Sequence, residues 1–285
     1  MVPDLSIIIV NTNNKKILGE CLASIYQNTL KVSFEIIVTD NGSIDGSQEM
    51  IKSDYPQVRL IENKENAGFI RASNQGLRTA KGRYRMLLND DTITKDSAFD
   101  KMIDFMDQNP SIGALGPKLL NVDGTIQRQG GLFGKKFYLS QRPVPVDFVI
   151  GACLMVRKEV IDKVGLMDEK LFFYNDDLDW CMSIRKAGWK VYFYPDAEIV
   201  HYGGLSSKRV FNRRLFVEGF RGGIYFCKKH YGRAAWIIYR FLLAIGIMTA
   251  IPLLILSFPF KREKILDRLL AYFDVLSIAV FCYNM

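Results

Sequence analysis

Apolar residues in this chain arrive as short continuous runs separated by stretches of helical spacing. Ile7-Ile8-Ile9-Val10 is such a run, closed by Asn11-Thr12-Asn13-Asn14. A strand buried on both faces of a parallel sheet requires that pattern. Ile17, Leu18, Cys21, Leu22 and Ile25 then recur at the spacing of one helix face. Glu35 to Thr39 predicts a second strand, followed by a Gly/Ser turn and a helix through Met50 and Ile51. Val58-Arg59-Leu60-Ile61 predicts a third strand, and a helix carrying Ala72, Gln75, Gly76 and Ala80 leads to a fourth, Tyr84 to Leu88. The order β-α-β-α-β-α-β predicts a mainly parallel, Rossmann-like sheet with helices on both faces.

After Asp91 the texture changes. Ala98, Phe99, Met102, Ile103, Phe105 and Met106 predict one amphipathic helix, stopped near Asn109-Pro110. Irregular Gly-rich segments from Gly113 to Gly134 precede the apolar run Phe148 to Val156. A helix from about Asp176 to Ala187, ended by Gly188, leads to Lys190-Val191-Tyr192-Phe193-Tyr194-Pro195 and then to His201-Tyr202-Gly203-Gly204. This half reads as mixed sheet and loops laid beside the first.

The C-terminus differs again. Phe241 to Phe260 carries no charge, and a bilayer core requires roughly 20 such residues. Pro252 and Pro259 would kink a helix there, and a second apolar stretch, Leu269 to Tyr283, is interrupted by Asp274. A spanning hairpin would put the turn Lys261-Arg262-Glu263-Lys264 outside, against the positive-inside tendency. A re-entrant or in-plane pair of helices avoids that conflict, and a soluble hairpin with a buried core is the plainer alternative. The expected organisation is a first domain over 1–205 that divides at residue 91, a basic juxtamembrane segment over 206–233, and an apolar, membrane-associated helical region over 234–285.

Charge narrows the partners. The formal net charge is +8, and much of the excess follows residue 205: Lys208, Arg209, Arg213, Arg214, Arg221, Lys228, Lys229 and Arg233. Lying just ahead of the most apolar stretch and without any nucleic-acid motif, it points to anionic lipid, and no nucleic acid partner is expected. The five cysteines, Cys21, Cys153, Cys181, Cys227 and Cys282, are scattered and free of any C-x-x-C pair. They fit reduced, buried thiols. Pro3 and Asp4 precede the first strand with no secretory-signal pattern, so the catalytic part is expected on the cytoplasmic face of the cell membrane.

The chemistry gathers where strand-like runs end in polar and acidic clusters. Glu35 to Thr39 ends in Asp40-Asn41-Gly42-Ser43, Tyr84 to Leu88 in Asn89-Asp90-Asp91, and Leu171 to Tyr174 in Asn175-Asp176-Asp177-Leu178-Asp179. In open α/β sheets ligands bind at strand carboxyl ends, and acids gathered there repel unless a metal, a sugar or a proton relay uses them.

In order, Ile7-Ile8-Ile9-Val10-Asn11, Asp40-Asn41-Gly42-Ser43-Ile44-Asp45-Gly46-Ser47, Asn66-Ala67-Gly68-Phe69, Leu87-Leu88-Asn89-Asp90-Asp91, Gly151 to Arg157, Asn175 to Cys181 and His201-Tyr202-Gly203-Gly204 resemble the family 2 glycosyltransferases. The likeness covers residues 4 to about 205 and is greatest to the bacterial rhamnosyltransferase type. It implies a GT-A nucleotide-diphospho-sugar transferase fold for a catalytic domain over 1–205, with 1–91 for the nucleotide-sugar and 92–205 for the acceptor, followed by the C-terminal membrane-associated helices. It also implies an inverting transfer of a sugar, rhamnose foremost, in cell-surface polysaccharide assembly. The donor would be dTDP- or UDP-linked, and the acceptor a polyprenyl-linked or other saccharide.

Residue by residue, the resemblance places Val10, Asn11 and Asp40 at the nucleotide base, although Asp40-Asn41-Gly42-Ser43 is also a good Asx-turn. Asn66 and Gly68 would approach ribose or phosphate at a helix start, Asn74 would face the donor, and Asp90 the ribose or donor sugar. Asn89-Asp90-Asp91 resembles the family's D-x-D element with Asn in the first place. Asp91 and His201 would hold a divalent metal, Mn2+ or Mg2+, against the diphosphate charge. Asp177 would be the base, with Asp176 and Asp179 orienting base or acceptor. Acids on the first turn of a helix also complement its dipole. Gly151 would leave room for the acceptor, and Trp180 would stack on a sugar or simply pack. The competing readings are a sugar nucleotidyltransferase, which needs a Gly-rich basic loop that Asn11 to Lys16 lacks, and a non-catalytic nucleotide-sugar-binding membrane protein.

Overall fold

The computed structural model describes residues 2–129, 136–172, 175–203, 211–256 and 262–281, with backbone alone for 256 and 262–265. Phe173, Tyr174, Gly204, Lys208, Arg209, Pro259, Lys261 and Cys282, named above, lie outside them. The chain forms two compact units, one of Met1–Glu169 with Asp176–Leu205 and one of Lys170–Asn175 with Ser206–Met285.

In the first unit, β1 (Leu5–Asn11), α1 (Lys15–Asn28), β2 (Phe34–Asn41), α2 (Ser47–Asp54), β3 (Arg59–Asn63), α3 (Phe69–Thr79) and β4 (Tyr84–Asn89) alternate as the periodicity predicts. β1 pairs in parallel with both β2 and β4, and β2 with β3. The winding therefore reverses between β1 and β4, which opens a crevice at the carboxyl ends of the strands. Register aligns those ends, with Asn11 opposite Asp40 and Val10 opposite Asn89.

The second half adds β5 (Thr92–Thr94), α4 (Ala98–Gln108), β6 (Ile112–Leu120), a short 3-10 turn at Phe137–Leu139, β7 (Val144–Pro145), β8 (Cys153–Arg157), α5 (Lys158–Val164), α6 (Asp176–Lys186) and β9 (Lys190–His201). The sheet order is β3-β2-β1-β4-β8-β6-β9-β5, with β7 beside β9. β8 runs antiparallel to β4, so its start lies at the same edge as the ends of the parallel strands. Leu88 stands opposite Cys153, and the Asn89 N–H donates to the Ala152 carbonyl at 3.0 Å. β5 pairs antiparallel with the end of β9, setting Thr92 opposite His201.

Leu5, Ile7 and Ile9 of β1, Leu18, Leu22 and Ile25 of α1, and Phe99 and Met102 of α4 form one buried cluster with Met86 and Met155. Removing each such side chain from water contributes about 1.5–3 kcal/mol. One expectation needs correction. Leu171 and Phe172 form no strand; the third acidic cluster opens α6 from a loop. The apolar run from Phe148 becomes strand at Cys153, with Gly151 and Ala152 in a turn before it. Asn175, just before α6, takes φ 63° and donates its side-chain amide to the Gly219 carbonyl at 2.9 Å.

The second unit is built from α7 (Arg213–Leu256) and α8 (Arg262–Phe281). α7 is broken at Gly232, whose φ of 81° and ψ of −176° are non-helical, whereas Pro252 lies inside the helix. Glycine takes that φ without a Cβ clash. Val217, Ile224, Trp236, Ile247, Ala271, Val275 and Ile278 make the buried seam. Arg240 donates to the carbonyls of Ala279 (2.7 Å) and Val280 (3.0 Å), satisfying the end of α8. Among the described residues one helix, Arg213–Ile255, is long and apolar enough to cross a membrane, with mean hydropathy 2.1 over its most apolar window. Only 11% of that window is buried.

Candidate active site

The metal-binding candidates meet through backbone pairing. Thr92 opposite His201 and the Tyr202 N–H on the Asp91 carbonyl at 2.9 Å draw the imidazole over the end of β4. His201 Nε2 lies 3.2 Å from Asp91 Oδ1 and 3.2 Å from Asn89 Nδ2. Its Nδ1 lies 2.7 Å from Gln127 Oε1, an atom that only accepts, so Nδ1 carries the proton. The amide of Gln127 is itself fixed, its Nε2 donating to the His201 carbonyl and Asn121 Oδ1, each at 3.1 Å.

Nε2 therefore turns a lone pair toward the Asp91 carboxylate. Two lone-pair donors at that distance call for a proton or a cation between them. The separation suits neighbouring ligands each about 2.1 Å from an octahedral ion. Both side chains are nearly buried, Asp91 at 4% and His201 at 8% exposure. Among the described residues no group of three or more His, Cys, Asp or Glu is arranged for a metal. The pair fits an ion whose remaining ligands come from a diphosphate and water.

Asp90 accepts from Asn14 Nδ2 at 3.2 Å, and burial, with Asp91 alongside, pushes its carboxyl up to about 7. Asn14, Gln127 and the amide of Asn89 were not singled out as site residues by sequence reasoning. Gln127 sits in an irregular segment where no periodicity marks it.

Toward β2 the amides form a lattice. Asn11 Nδ2 donates to Asp40 Oδ2 (2.8 Å) and Ser43 Oγ (3.1 Å). Asp40 Oδ1 accepts from the Ser43 N–H (2.9 Å) and Gln48 Nε2 (2.6 Å). Burial opposes the charge on Asp40, but the bonds from Gln48, Ser43 and Asn11 outweigh it and hold the carboxyl below its usual range. With no exposed surface, Asp40 holds the Asx-turn here. Val10, half-buried at the end of β1, borders the same crevice. Asn66 Oδ1 accepts from Asn41 Nδ2 and the Gly68 N–H, both at 2.9 Å. Gly68 starts α3 at φ 87°, where a Cβ would be strained.

Asn74 is a correction. Its Nδ2 donates to the Met167 carbonyl and Glu169 Oε1, both at 2.9 Å, and its Oδ1 accepts the Met167 N–H. Fully buried, it ties the loop after α5 to α3 and has no donor role in this structure. Trp180 takes the packing alternative: it is 2% exposed and donates Nε1 to the Gly165 carbonyl at 3.0 Å.

The acids of α6 reach the same edge. Asp177 Oδ2 accepts the Gly151 N–H at 3.3 Å and Oδ1 the Leu178 N–H at 2.7 Å. Gly151 adjoins Ala152, whose carbonyl binds Asn89. One path of contacts thus runs Asp177–Gly151–Ala152–Asn89–His201–Asp91. A Cβ on Gly151 would meet nothing within 4 Å, so that position faces open space. Asp179 is buried on the inner side of α6. Burial raises Asp176 to about 7, with Asp177 adding to the shift, and burial raises Asp177 as well.

The folded state thus binds a proton on this pair that an unfolded chain has released by about pH 5. That contribution to stability is present at low pH and lost as pH rises through neutrality. Asp176→Asn is expected to stabilise the protein at pH 8 by roughly 1–3 kcal/mol, exceeding the ~0.5 kcal/mol lost at the helix dipole. At pH 4 it should have little effect. Melting curves at the two pH values check it, and equal shifts at both would refute the assignment.

The chain is similar to known proteins. The glycosyl transferase family 2 profile matches residues 6–165, and that of glycosyl transferase family group 2 matches 86–260. The N-acetylglucosaminyl-diphospho-decaprenol L-rhamnosyltransferase of Mycobacterium tuberculosis is 27% identical over 209 residues, 61% of this chain and 68% of that protein. The dTDP-rhamnosyl transferase RfbF of Shigella flexneri is 28% identical over 187 residues, 61% of this chain and 62% of its own. The solved mannosyltransferase PcManGT of Pyrobaculum calidifontis, in complex with GDP-Man and Mn2+, superposes with a TM-score of 0.61 at 16% identity. It covers 98% of this chain and 81% of that one, a likeness of fold alone. With a sheet wound in this order and a profile matching more than half of its residues, the chain belongs to glycosyl transferase family 2 and has the GT-A fold.

Proposed function

We propose that this glycosyltransferase moves a sugar, rhamnose foremost, from a dTDP- or UDP-linked donor to a polyprenyl-linked or other saccharide acceptor, with inversion. The observation that carries this reading is the contact path from Asp177 to the Asp91–His201 pair along one sheet edge. Asp177 takes the proton of the acceptor hydroxyl as that oxygen attacks the anomeric carbon, while the bond from that carbon to the diphosphate oxygen breaks. The Gly151 N–H aims one carboxylate oxygen, and Asp176 keeps the pair's proton affinity high. Asp91 and His201 would hold Mn2+ or Mg2+, which supplies charge neutralisation at the leaving diphosphate.

The rhamnose assignment rests on the activities of the Mycobacterium and Shigella relatives. The exposed apolar faces of α7 and α8 support attachment to the cell membrane, with the catalytic unit on its cytoplasmic face where nucleotide-sugars are made. A thermal-shift screen of nucleotide-sugars with Mn2+ identifies the donor, and proton NMR of the fresh product reads the anomeric centre. Inverted configuration is expected; a retained one would overturn the single displacement.

A further inference from the structure

The second unit carries a cavity of about 510 Å³ lined by Arg213, Arg214 and Arg221 of α7 and by Asp274, Ser277 and Ile278 of α8. Asp274 engages Arg213 through Nε (2.7 Å) and Nη2 (2.9 Å), which fixes that guanidinium and leaves Nη1 for another acceptor. Arg221 is 3.2 Å from Glu218 through Nη1 alone, and Arg214 lies over the Phe172 ring at 4.4 Å. Arginine is the side chain suited to phosphate oxygens. The two carboxylates leave the cluster net positive.

The other half of the argument is on α8. Leu266, Leu270, Phe273, Val280 and Phe281 are exposed apolar residues. Leu266, Leu270, Phe273, Ser277 and Val280 follow one another at helical i+3 and i+4 steps, and Phe281 lies four residues after Ser277, so they share one face. The cavity borders that stripe: Ser277, one of the polar residues that line it, stands between Phe273 and Val280.

A polar basic cavity beside an apolar helical stripe has the two-part chemistry of an amphiphile. We infer that the cavity binds the phosphate of a lipid whose chain lies along the α8 stripe. The occupant is the diphosphate of the lipid-linked acceptor. This deepens the membrane reading above and rests on the proposed acceptor class.

The test uses the full chain and vesicles of neutral phosphatidylcholine containing a few per cent of a polyprenyl diphosphate. Parallel vesicles contain the same charge as phosphatidylglycerol. Co-flotation is expected to be stronger with the diphosphate lipid than with either phosphatidylcholine alone or phosphatidylglycerol. Arg214→Gln and Arg221→Gln are each expected to weaken it roughly fivefold, and Arg→Lys at the same positions to restore part of it.

Equal binding to phosphatidylglycerol would replace the proposal by a general anionic-lipid surface. Equal competition by free inorganic diphosphate would make the site one for soluble anions, and unchanged binding by both Gln variants would refute it. Circular dichroism guards against misfolding. Donor titration with Mn2+ on the same samples tests the sugar-transfer reading separately.

Discussion

Asp177→Asn is expected to lower kcat by ~10²–10⁴ while nucleotide-sugar affinity stays within about twofold. The amide oxygen can still accept the Gly151 N–H, which holds the start of α6, while the capacity to take a proton and the acceptor for the Leu178 N–H are lost. Single-turnover kinetics beside calorimetric donor titration separate the two effects. A non-catalytic sugar-nucleotide binder would lose nothing measurable, and kcat within fivefold of the parent would remove Asp177 as the base. The same carboxylate sets the pH profile. Because burial raises both members of the Asp176–Asp177 pair, kcat/KM is expected to fall as pH drops through neutrality, well above the ordinary carboxylate range.

Asp91→Ala is expected to abolish Mn2+-dependent strengthening of donor binding, because the remaining imidazole gives an ion one protein ligand. His201→Ala should do nearly the same. Gln127→Leu leaves both candidate ligands in place but frees the imidazole to rotate and change tautomer, so a smaller loss of about 10–100-fold in metal affinity follows. The graded order distinguishes a metal site from a structural ion pair. Mn2+ titrations followed by donor binding measure it, and equal affinities in all variants would remove the metal from this edge.

Much of the fold is written locally. The runs in β1, β2 and β4 are continuous because both sheet faces are covered, and covering both faces leaves no polar position to obscure them. β5 went unseen because Thr92–Thr94 is too short for a period. The Leu171–Phe172 run misled because two apolar residues followed by acids look the same before a loop as at a strand end. Asp91, His201 and Asp177 stood out in the sequence because each lies at the boundary of a strand or helix beside further polar residues. Asn74 was placed at the donor because a polar atom that serves a distant backbone carbonyl carries no mark of that service in its own neighbourhood. Gln127 escaped notice for the same reason, since its value lies entirely in a partner 74 positions away.

The antiparallel entry of β8 has an evolutionary corollary. The residues proposed to hold the nucleotide-sugar follow chain leaving the sheet, while the glycine beside the proposed base precedes chain entering it, and a peptide hydrogen bond between Asn89 and Ala152 joins the two. Insertions upstream of β8 can therefore remodel what is glycosylated without disturbing how the donor is gripped, so recipient preference should diverge faster between orthologues than donor preference.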